Sequence, residues 1–301
     1  MAKKKKVEID AMVSVESEAL TKLPCGTLYI CGTPIGNLDD VTLRLIKTLK
    51  AVDLVAAEDT RHSLKLLNHL EIQKSLVSYH EHNRLKAGPK LIEKLLAGQN
   101  IALLSDAGMP GISDPGEDLV KLAIEANIEM VCVDGPVAAI HALVLSGLPT
   151  RRFAFEGFVD RNSKVRKKQF ESLRYDSRTL IFYEAPHRLK DFLKDAFEVL
   201  GAREAAVCKE LTKRFENFQR GTLEQLGQYF ELNEPRGEFV IILSGFEGEA
   251  PTIENPLDQL SIAEELMLLM EQGMDKKEAT AVVAKRRELP KKEVYQVSID
   301  L

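Results

Sequence analysis

The stretch Ile101-Ala102-Leu103-Leu104-Ser105-Asp106-Ala107-Gly108-Met109-Pro110-Gly111-Ile112-Ser113-Asp114-Pro115-Gly116 joins a short apolar run to a long loop of glycine, proline and aspartate. Four apolar residues followed by turn-forming residues predict a buried strand. A connection from strand to helix usually needs about two to six residues, so this loop is longer than a connection requires. Ligands of open α/β sheets bind at the carboxyl ends of the strands. The stretch therefore predicts a binding loop, followed by a helix with Asp114 as its cap and Pro115 at its first position.

Further apolar runs alternate with helical patterns on both sides of this stretch. The strands are predicted at 28–31, 53–57, 76–78, 101–104 and 128–133. Leucines at helical spacing separate them, and the first helix, with Val41, Leu45 and Leu49, is expected to begin behind a cap at Asp39 or Asp40. This alternation predicts a mainly parallel sheet with helices on both faces.

A second unit follows the break at Gly147-Leu148-Pro149-Thr150. Its predicted strands are 153–156, 179–183, 205–208 and 239–243, with a basic helix at 163–174 and a capping box at Thr222 and Gln225. The predicted fold class is thus α/β, with an α/β domain at 25–149 and a second α/β domain at 150–246. A disordered extension at 1–24, a linker at 247–256 and a small helical domain at 257–301 complete the expected organisation.

Composition narrows the class of protein. The 301 residues are 45% hydrophobic and 29% charged, with no apolar stretch near the roughly 20 residues of a membrane span, so a cytoplasmic protein is predicted. The net charge of −5 does not favour nucleic acid, but residues 160–174 hold six basic and two acidic residues, and residues 276–292 hold seven and two. Each patch alone is typical of a solvated helix face, and together they favour a polyanionic partner. The four cysteines form no CxxC pair, so buried reduced thiols are expected.

Polar residues follow the first three predicted strands. Gly32-Thr33-Pro34-Ile35-Gly36-Asn37 matches neither phosphate-loop pattern, and Pro34 removes a backbone donor, which favours an adenosyl group without phosphates. The next run is Glu58-Asp59-Thr60-Arg61-His62. A helix cap and a functional role explain Asp59 and Thr60 equally well. Arg61 and His62 are candidates to contact a phosphate or hydroxyl. His80 and His82 have no matching ligands nearby, so exposed loop histidines are expected and no metal site is predicted.

Two charged corners lie in the second unit. Tyr183-Glu184-Ala185-Pro186-His187-Arg188 and Lys209-Glu210-Leu211-Thr212-Lys213 each follow a predicted strand. Capping and ion pairing explain either corner alone. Two in one domain predict a polar rim that faces the binding loop of the first domain.

In their order along the chain, these motifs resemble the tetrapyrrole methylase superfamily, and within it the branch that methylates small-subunit ribosomal RNA. The resemblance covers about residues 26–245 and rests on several segments: Thr33–Leu38, Glu58–Arg61, Ser105–Gly108, Ile112–Gly116, Phe155–Phe158, Tyr183–Arg188 and Lys209–Lys213. It implies two α/β domains with S-adenosylmethionine in the cleft between them, a homodimer, and a C-terminal domain similar to a helix-turn-helix. It also implies 2′-O-methylation of a cytidine in the decoding region of 16S ribosomal RNA in the small subunit, with no DNA or membrane partner.

The resemblance also implies site residues. Those expected to bind the cofactor are Pro34, Asp106, Ala107, Gly108, Ile112, Ser113, Gly135, Pro136, Phe155, Tyr183 and Leu211. Those expected to hold or deprotonate the ribose hydroxyl are Asp59, Arg61, Glu184, Lys209 and Glu210.

The chain departs from the branch pattern at Met109, Asp134, Val137 and Asp160. Val137 stands where a small polar residue would bond the cofactor, so a weaker or rearranged pocket is one expectation. Two alternatives follow. A corrin or porphyrin methyltransferase fits the fold, although residues 58–61 and the basic patches oppose it, and a non-catalytic RNA-binding assembly factor fits the departures.

Overall fold

The computed structural model describes residues 25–249 and 260–299. The chain divides into two compact units, Met1–Phe246 and Glu247–Leu301. Within the described ranges, no helix is both long and apolar enough to cross a membrane. The predicted extension at 1–24 lies outside the described residues, and so does most of the predicted linker.

The first half of the larger unit is a five-stranded parallel sheet in the order β3-β2-β4-β1-β5. Its strands are β1 (Leu28–Cys31), β2 (Leu54–Ala57), β3 (Ser75–Ser78), β4 (Ile101–Leu104) and β5 (Met130–Val133). The helices that follow them are α1 (Leu43–Ala51), α2 (Thr60–His69), α3 (Arg84–Leu96), α4 (Gly116–Glu125) and α5 (Ala138–Ser146). Cys31 pairs with Leu104 and Val133, so the loops after β1, β4 and β5 leave the sheet at one edge.

Apolar clusters cover both faces of this sheet. Neighbouring residues of a strand point to opposite faces, and Leu103 belongs to one cluster while Ala102 and Leu104 belong to the other. Helix packing on both faces explains why β2 and β4 are apolar at every position rather than at alternate ones. The predicted parallel sheet is confirmed.

The second half is a mixed sheet in the order β6-β7-β10-β8-β9. Its elements are β6 (Phe153–Phe158), α6 (Ser163–Ser172), β7 (Thr179–Glu184), α7 (Leu189–Leu200), β8 (Glu204–Lys209), β9 (Asn217–Thr222), α8 (Leu223–Leu232) and β10 (Phe239–Leu243). Only β6 and β7 are parallel, and the other three pairings are antiparallel. The capping box of Thr222 and Gln225 is present at the start of α8.

Helix α5 follows the first sheet in the chain but packs on the second. Its Ala139, Ala142 and Leu143 share a buried cluster with Ile181 and Ala206 of the second sheet. Helix α5 therefore connects the two sheets: it continues the chain of the first sheet and packs on the second.

Three local expectations need correction. Helix α1 is capped by Thr42, whose hydroxyl accepts from the Leu45 N–H at 3.1 Å, because residues 38–40 form a separate 3-10 turn. Helix α4 has Pro115 at its cap position, while the Asp114 carboxylate accepts from the N–H groups of Gly111 and Gly116.

The third correction concerns the thiols. Cys31 and Cys208 are buried, but Cys25 and Cys132 are exposed. Cys132 lies in β5, which is an edge strand, so an apolar run there is only partly covered.

In its described residues, the C-terminal unit is a bundle of three helices, α9 (Ile262–Glu271), α10 (Lys276–Arg286) and α11 (Lys291–Ile299). Its apolar cluster includes Leu266, Val283 and Val294. Glu265 is fully buried and forms salt bridges with Arg286 and Arg287. Two of the seven cations in the C-terminal basic patch therefore have a structural role.

Candidate active site

The loops after β1, β4 and β5 are bound tightly to one another. Thr33 and Gly108 exchange two backbone hydrogen bonds, of 2.9 and 3.1 Å. A Cβ atom on Gly32 would lie 2.6 Å from the Gly135 backbone, and a Cβ on Gly135 would meet the Gly32 backbone at the same distance. Glycine is needed at both positions because the two loops approach each other more closely than side chains permit.

These loops and the second sheet enclose a cavity of about 400 Å³. Its first-sheet lining is Ile35, Glu58, Ser105, Asp106, Ala107, Gly108, Met109, Ile112, Ser113, Asp114, Val137 and Ala138. Its second-sheet lining is Phe158, Tyr183, Glu184, Ala185, Pro186, Leu211, Glu238, Phe239 and Val240. Both predicted corners of the second domain contribute to this wall, through Glu184 and Leu211.

The cavity is acidic. Five of its lining residues are Asp or Glu, and none is Lys, Arg or His. Burial raises the pKa of Glu58, and the carboxylates of Asp106 and Asp114 raise it further, although a hydrogen bond from the Asp106 N–H opposes them. Such a lining disfavours a phosphate and favours a neutral or cationic ligand.

Glu184 is the most enclosed of these acids, with a side chain 0% exposed. Its Oε1 accepts from the Ala185 N–H at 2.8 Å and lies 3.1 Å from Nε of Arg188. Its Oε2 is buried without a hydrogen-bond partner in the described residues. Burial raises the pKa of this carboxyl, while Arg188 opposes the rise. A buried carboxylate oxygen without a partner is a strong acceptor for any donor that reaches it.

Aromatic residues form the wall beside Glu184. The Tyr183 ring lies 4.9 Å from Phe155 and 5.6 Å from Phe158, both edge to face. The Tyr183 hydroxyl accepts from the Ala139 N–H at 3.2 Å, at the first turn of α5. This bond connects the second-sheet side of the cavity to α5.

The loop between β8 and β9, residues 210–216, closes the cavity from another side. Glu210 and Thr212 are non-glycine residues at positive φ, 51° and 63°, and Leu211 between them lines the cavity. Such backbone geometry is costly and concentrates at ligand sites. Gly36 of the β1 loop packs against Leu211, Thr212 and Lys213, so a Cβ there would lie 2.4 Å from the Lys213 side chain.

The structure gathers some of the predicted site residues at this cavity. Those that line it are Asp106, Ala107, Gly108, Ile112, Ser113, Tyr183, Leu211 and Glu184. Pro34, Gly135, Pro136 and Phe155 are not in the lining. Pro34 lies in the loop after β1, Gly135 and Pro136 lie in the loop after β5, and the Phe155 ring packs on Tyr183. Lys209 lines a different cavity, and Glu210 is bonded to Lys213 and to the Glu238 N–H.

Asp59 and Arg61 lie outside the cavity lining. Arg61 donates to Asp59 through Nε at 3.1 Å and Nη2 at 2.8 Å, and its side chain is 88% exposed. The bonds from Arg61 hold the pKa of Asp59 below its usual range. Asp59 is thus a weak base, paired with a cation that faces solvent.

Several lining residues escaped the sequence analysis. Glu58 is the first residue of the polar run at 58–62 and has no other distinguishing pattern, and Glu238 and Phe239 belong to no motif. Both of the latter flank the start of β10, whose antiparallel pairing with β7 and β8 brings them to the cavity. Only the strand order could have revealed them.

No metal centre is evident in the part of the chain that the structure describes, since no group of three metal-binding side chains occurs there. His80 and His82 lie with ring centroids 5.9 Å apart, on the loop after β3. His82 is exposed and His80 half-buried.

Comparisons with known proteins agree with this architecture. The Tetrapyrrole (Corrin/Porphyrin) Methylases family matches residues 27–227. Ribosomal RNA small subunit methyltransferase I of Synechocystis sp. is 47% identical over 277 residues, 92% of this chain and 98% of that protein. The protein of the same name from Bacillus subtilis is 46% identical over 275 residues, 91% of this chain and 94% of that protein.

Solved structures share the fold. Diphthine synthase aligns with a TM-score of 0.57 at 13% identity, over 73% of this chain and 90% of that one. Uroporphyrin-III C-methyltransferase of Thermus thermophilus, complexed with S-adenyl homocysteine, aligns with a TM-score of 0.53 at 20% identity, over 73% and 97% of the two chains. The chain belongs to the tetrapyrrole (corrin/porphyrin) methylase family.

Proposed function

We propose that the protein is an S-adenosylmethionine-dependent methyltransferase of small-subunit ribosomal RNA, and that it methylates the 2′-oxygen of a cytidine in the decoding region of 16S RNA. The observation that carries the proposal is the acidic cavity, which lies at the carboxyl ends of β1 and β4 and has no basic residue in its lining. Relatives 46–47% identical over more than nine-tenths of the chain are named for the small-subunit RNA reaction.

The cavity fits the cofactor. Its volume of about 400 Å³ lies in the range of roughly 300–1,000 Å³ usual for small-molecule sites. Ile35, Ile112 and Leu211 offer apolar contact for an adenosyl group, and the backbone at Ala107 and Gly108 offers polar atoms. The acidic residues suit the positive sulfur and amino group. When bound, S-adenosylmethionine supplies a methyl group on a positively charged sulfur.

Glu184 is the best placed of the proposed catalytic residues to hold the ribose hydroxyl. Glu184 lines the cavity, and its buried Oε2 has no partner in the described residues, so a small shift of the side chain would let Oε2 accept the hydroxyl hydrogen bond. The raised pKa brings the carboxyl closer to the range useful for a general base. Arg188 and the Ala185 N–H fix its orientation through Oε1. Positioning of this kind contributes several kcal/mol, on the order of 7 in favourable cases.

Arg61, Glu210 and Asp59 are assigned other tasks. Arg61 is an exposed cation near the cavity rim, suited to an RNA phosphate. Glu210 orders the 210–216 loop through Lys213 and the Glu238 N–H. Asp59 holds Arg61.

The alternatives have less support. The porphyrin methyltransferases align at about 20% identity, so they share the fold and no more than the fold. A non-catalytic assembly factor would not need Glu184 to keep a buried, unpartnered oxygen on the cavity wall. Val137 lines the cavity as an apolar residue, which fits adenosyl contact in place of a polar bond.

A homodimer also fits the surface. Helix α5 exposes Ile140, Val144 and Leu145 on the side opposite its buried face. Exposed apolar residues grouped on one helix favour a protein interface, and we assign them to a second copy of the chain. A ribosomal substrate would place the protein in the cytoplasm.

The test is tritium transfer from methyl-labelled S-adenosylmethionine to small subunits from cells that lack the protein, followed by nucleoside analysis. Label in 2′-O-methylcytidine is the expected result. Label in a base-methylated nucleoside would refute the ribose assignment. Absence of label with intact cofactor binding would refute the ribosomal substrate, and absence of binding would favour the assembly factor.

A further inference from the structure

A second cavity, of about 520 Å³, lies on the other side of Phe239 from the first. Phe239 is buried and lines both cavities. The rest of the lining comes from β8, β9, α8 and their loops: Val207, Lys209, Arg214, Phe215, Glu216, Asn217, Gln219, Tyr229, Phe230, Asn233, Glu234, Pro235 and Arg236. The second cavity therefore shares one lining residue with the active-site cavity.

Its lining holds three cations and two acids, whereas the lining of the first cavity holds acids and no cation. Lys209, Arg214 and Arg236 form no salt bridge with any residue of the described ranges. The two acids of the lining are engaged, since Glu216 accepts from the Thr212 N–H at 2.5 Å and Glu234 pairs with Lys190 at 2.9 Å. Three cations without salt bridges around one cavity favour an anionic ligand.

Aromatic and amide groups accompany these cations. Phe215 is 69% exposed, and the Arg214 guanidinium lies 5.7 Å from the centre of its ring. Tyr229 is also exposed, and Asn217, Gln219 and Asn233 supply amides. Exposed rings that stack on bases, beside cations that contact phosphates, are typical of single-strand RNA sites.

The loop that carries these groups is held in a fixed shape. Lys213 bonds Glu210 at 3.1 Å and Glu238 at 2.7 Å, while positive φ angles at Glu210 and Thr212 set the direction of the chain. Leu211 thereby faces the active-site cavity, whereas Arg214 and Phe215 face the second cavity. The same strained loop builds both walls.

We propose that the second cavity binds a single-stranded RNA nucleotide next to the one that is methylated, with its base stacked on Phe215 and its phosphates at Arg214, Arg236 and Lys209. This inference rests on the proposed function for its substrate. We assign the second cavity a nucleotide next to the methylated one because the two cavities share the lining residue Phe239.

Methylation of unmodified small subunits by the full-length protein tests the proposal. Phe215→Leu keeps an apolar side chain but loses the ring, so KM for subunits should rise about tenfold, whereas Phe215→Trp should stay near the wild type. The double variant Arg214→Ala/Arg236→Ala should flatten the dependence of log affinity on log salt by about 0.7 per lost contact. Cofactor affinity, measured by calorimetry, should not change in any of them.

Matched controls lie on the exposed face of α3. Leu85→Ala removes an exposed apolar side chain, and Lys90→Ala/Lys94→Ala removes two exposed cations. Both should behave as the wild type. Equal KM values for Phe215→Leu and wild type, or an unchanged salt slope in the arginine variant, would overturn the proposal.

Affinity for a fluorescent single-stranded RNA oligonucleotide separates this proposal from the proposed function. If the wild-type protein methylates no subunits, the proposed function fails, and oligonucleotide affinity alone then tests RNA binding at the second cavity. Weaker oligonucleotide binding by Phe215→Leu than by the wild type would support RNA binding there, and equal binding would refute it. Loss of subunit binding with unchanged oligonucleotide binding would indicate a ribosomal protein as the partner and would also refute it.

Discussion

The two cavities that share the lining residue Phe239 differ in charge. One has five acidic residues in its lining and no basic residue, and the other has three cations without salt bridges. A cationic sulfonium is stabilised by the first environment and an RNA phosphate by the second. Charge separates two ligands that shape alone would not, since the cavities are of similar size and share a lining residue.

Loss of the Glu184 carboxylate should have the largest effect on this arrangement. Glu184→Gln keeps the size of the side chain and removes the base, so we expect kcat to fall about 100-fold or more while KM for subunits stays within about twofold. Single-turnover methyl transfer measures the change. Glu238→Gln, in the same lining but exposed and paired with Lys213, is the matched control. A fall of less than about threefold would exclude Glu184 as the base.

Gly135→Ala should damage the acidic cavity alone. Its Cβ would meet the Gly32 backbone at 2.6 Å, and backbone on both sides cannot yield without moving the loops. We expect a loss of about 1–3 kcal/mol in the free energy of unfolding, together with weaker cofactor binding. Gly227→Ala is the control, since it lies within α8 in open space and should raise stability by about 0.5–1 kcal/mol. Urea denaturation and calorimetry measure both, and unimpaired cofactor binding in Gly135→Ala would show that the loops yield.

The pH dependence of the free energy of unfolding should differ between the wild type and the double variant Glu58→Gln/Glu184→Gln. We expect this difference to be smaller than the loss of stability in Gly135→Ala. Burial raises the pKa of both carboxyls in the folded protein, so the folded state holds their protons more tightly than the unfolded state. Their contribution to stability is therefore present below the ordinary glutamate pKa and is lost as pH rises through the raised values. Urea midpoints at pH 5 and pH 8 should show wild type losing more stability than the double variant. Parallel profiles would contradict the pKa shifts.

Arg61→Ala should have the smallest effect, because its side chain is exposed outside both cavities. We expect KM for subunits to rise a few-fold through loss of a phosphate contact, with cofactor affinity unchanged. Lys65→Ala, exposed on the same helix, controls for general loss of charge. Unchanged turnover on subunits would remove Arg61 from the site.

Eight of the predicted site residues line the acidic cavity and only Lys209 lines the basic one, and the reason is physical. Apolar runs such as 101–104 and 239–243 match the structure to the residue, because a strand buried on both faces is apolar throughout. Strand β9, at Asn217–Thr222, was missed because it is an exposed edge strand with Phe218 as its one large apolar residue. Without β9, no pattern could place Arg214, Phe215 and Arg236 around one cavity. Pairing between distant strands, as with Glu238, leaves no local signal either.

The fixed loop at 210–216 has a thermodynamic consequence. Leu211 forms part of one cavity, and Arg214 and Phe215 form part of the other, with the strained residues Glu210 and Thr212 on either side of Leu211. A ligand that shifts this loop on one side changes the free energy of binding on the other side. Linkage requires the change to be reciprocal, so whatever factor RNA exerts on cofactor affinity, the cofactor exerts on RNA affinity. The total free energy of binding both ligands is the same whichever binds first, so any coupling through the loop is described by one factor that acts equally on both affinities.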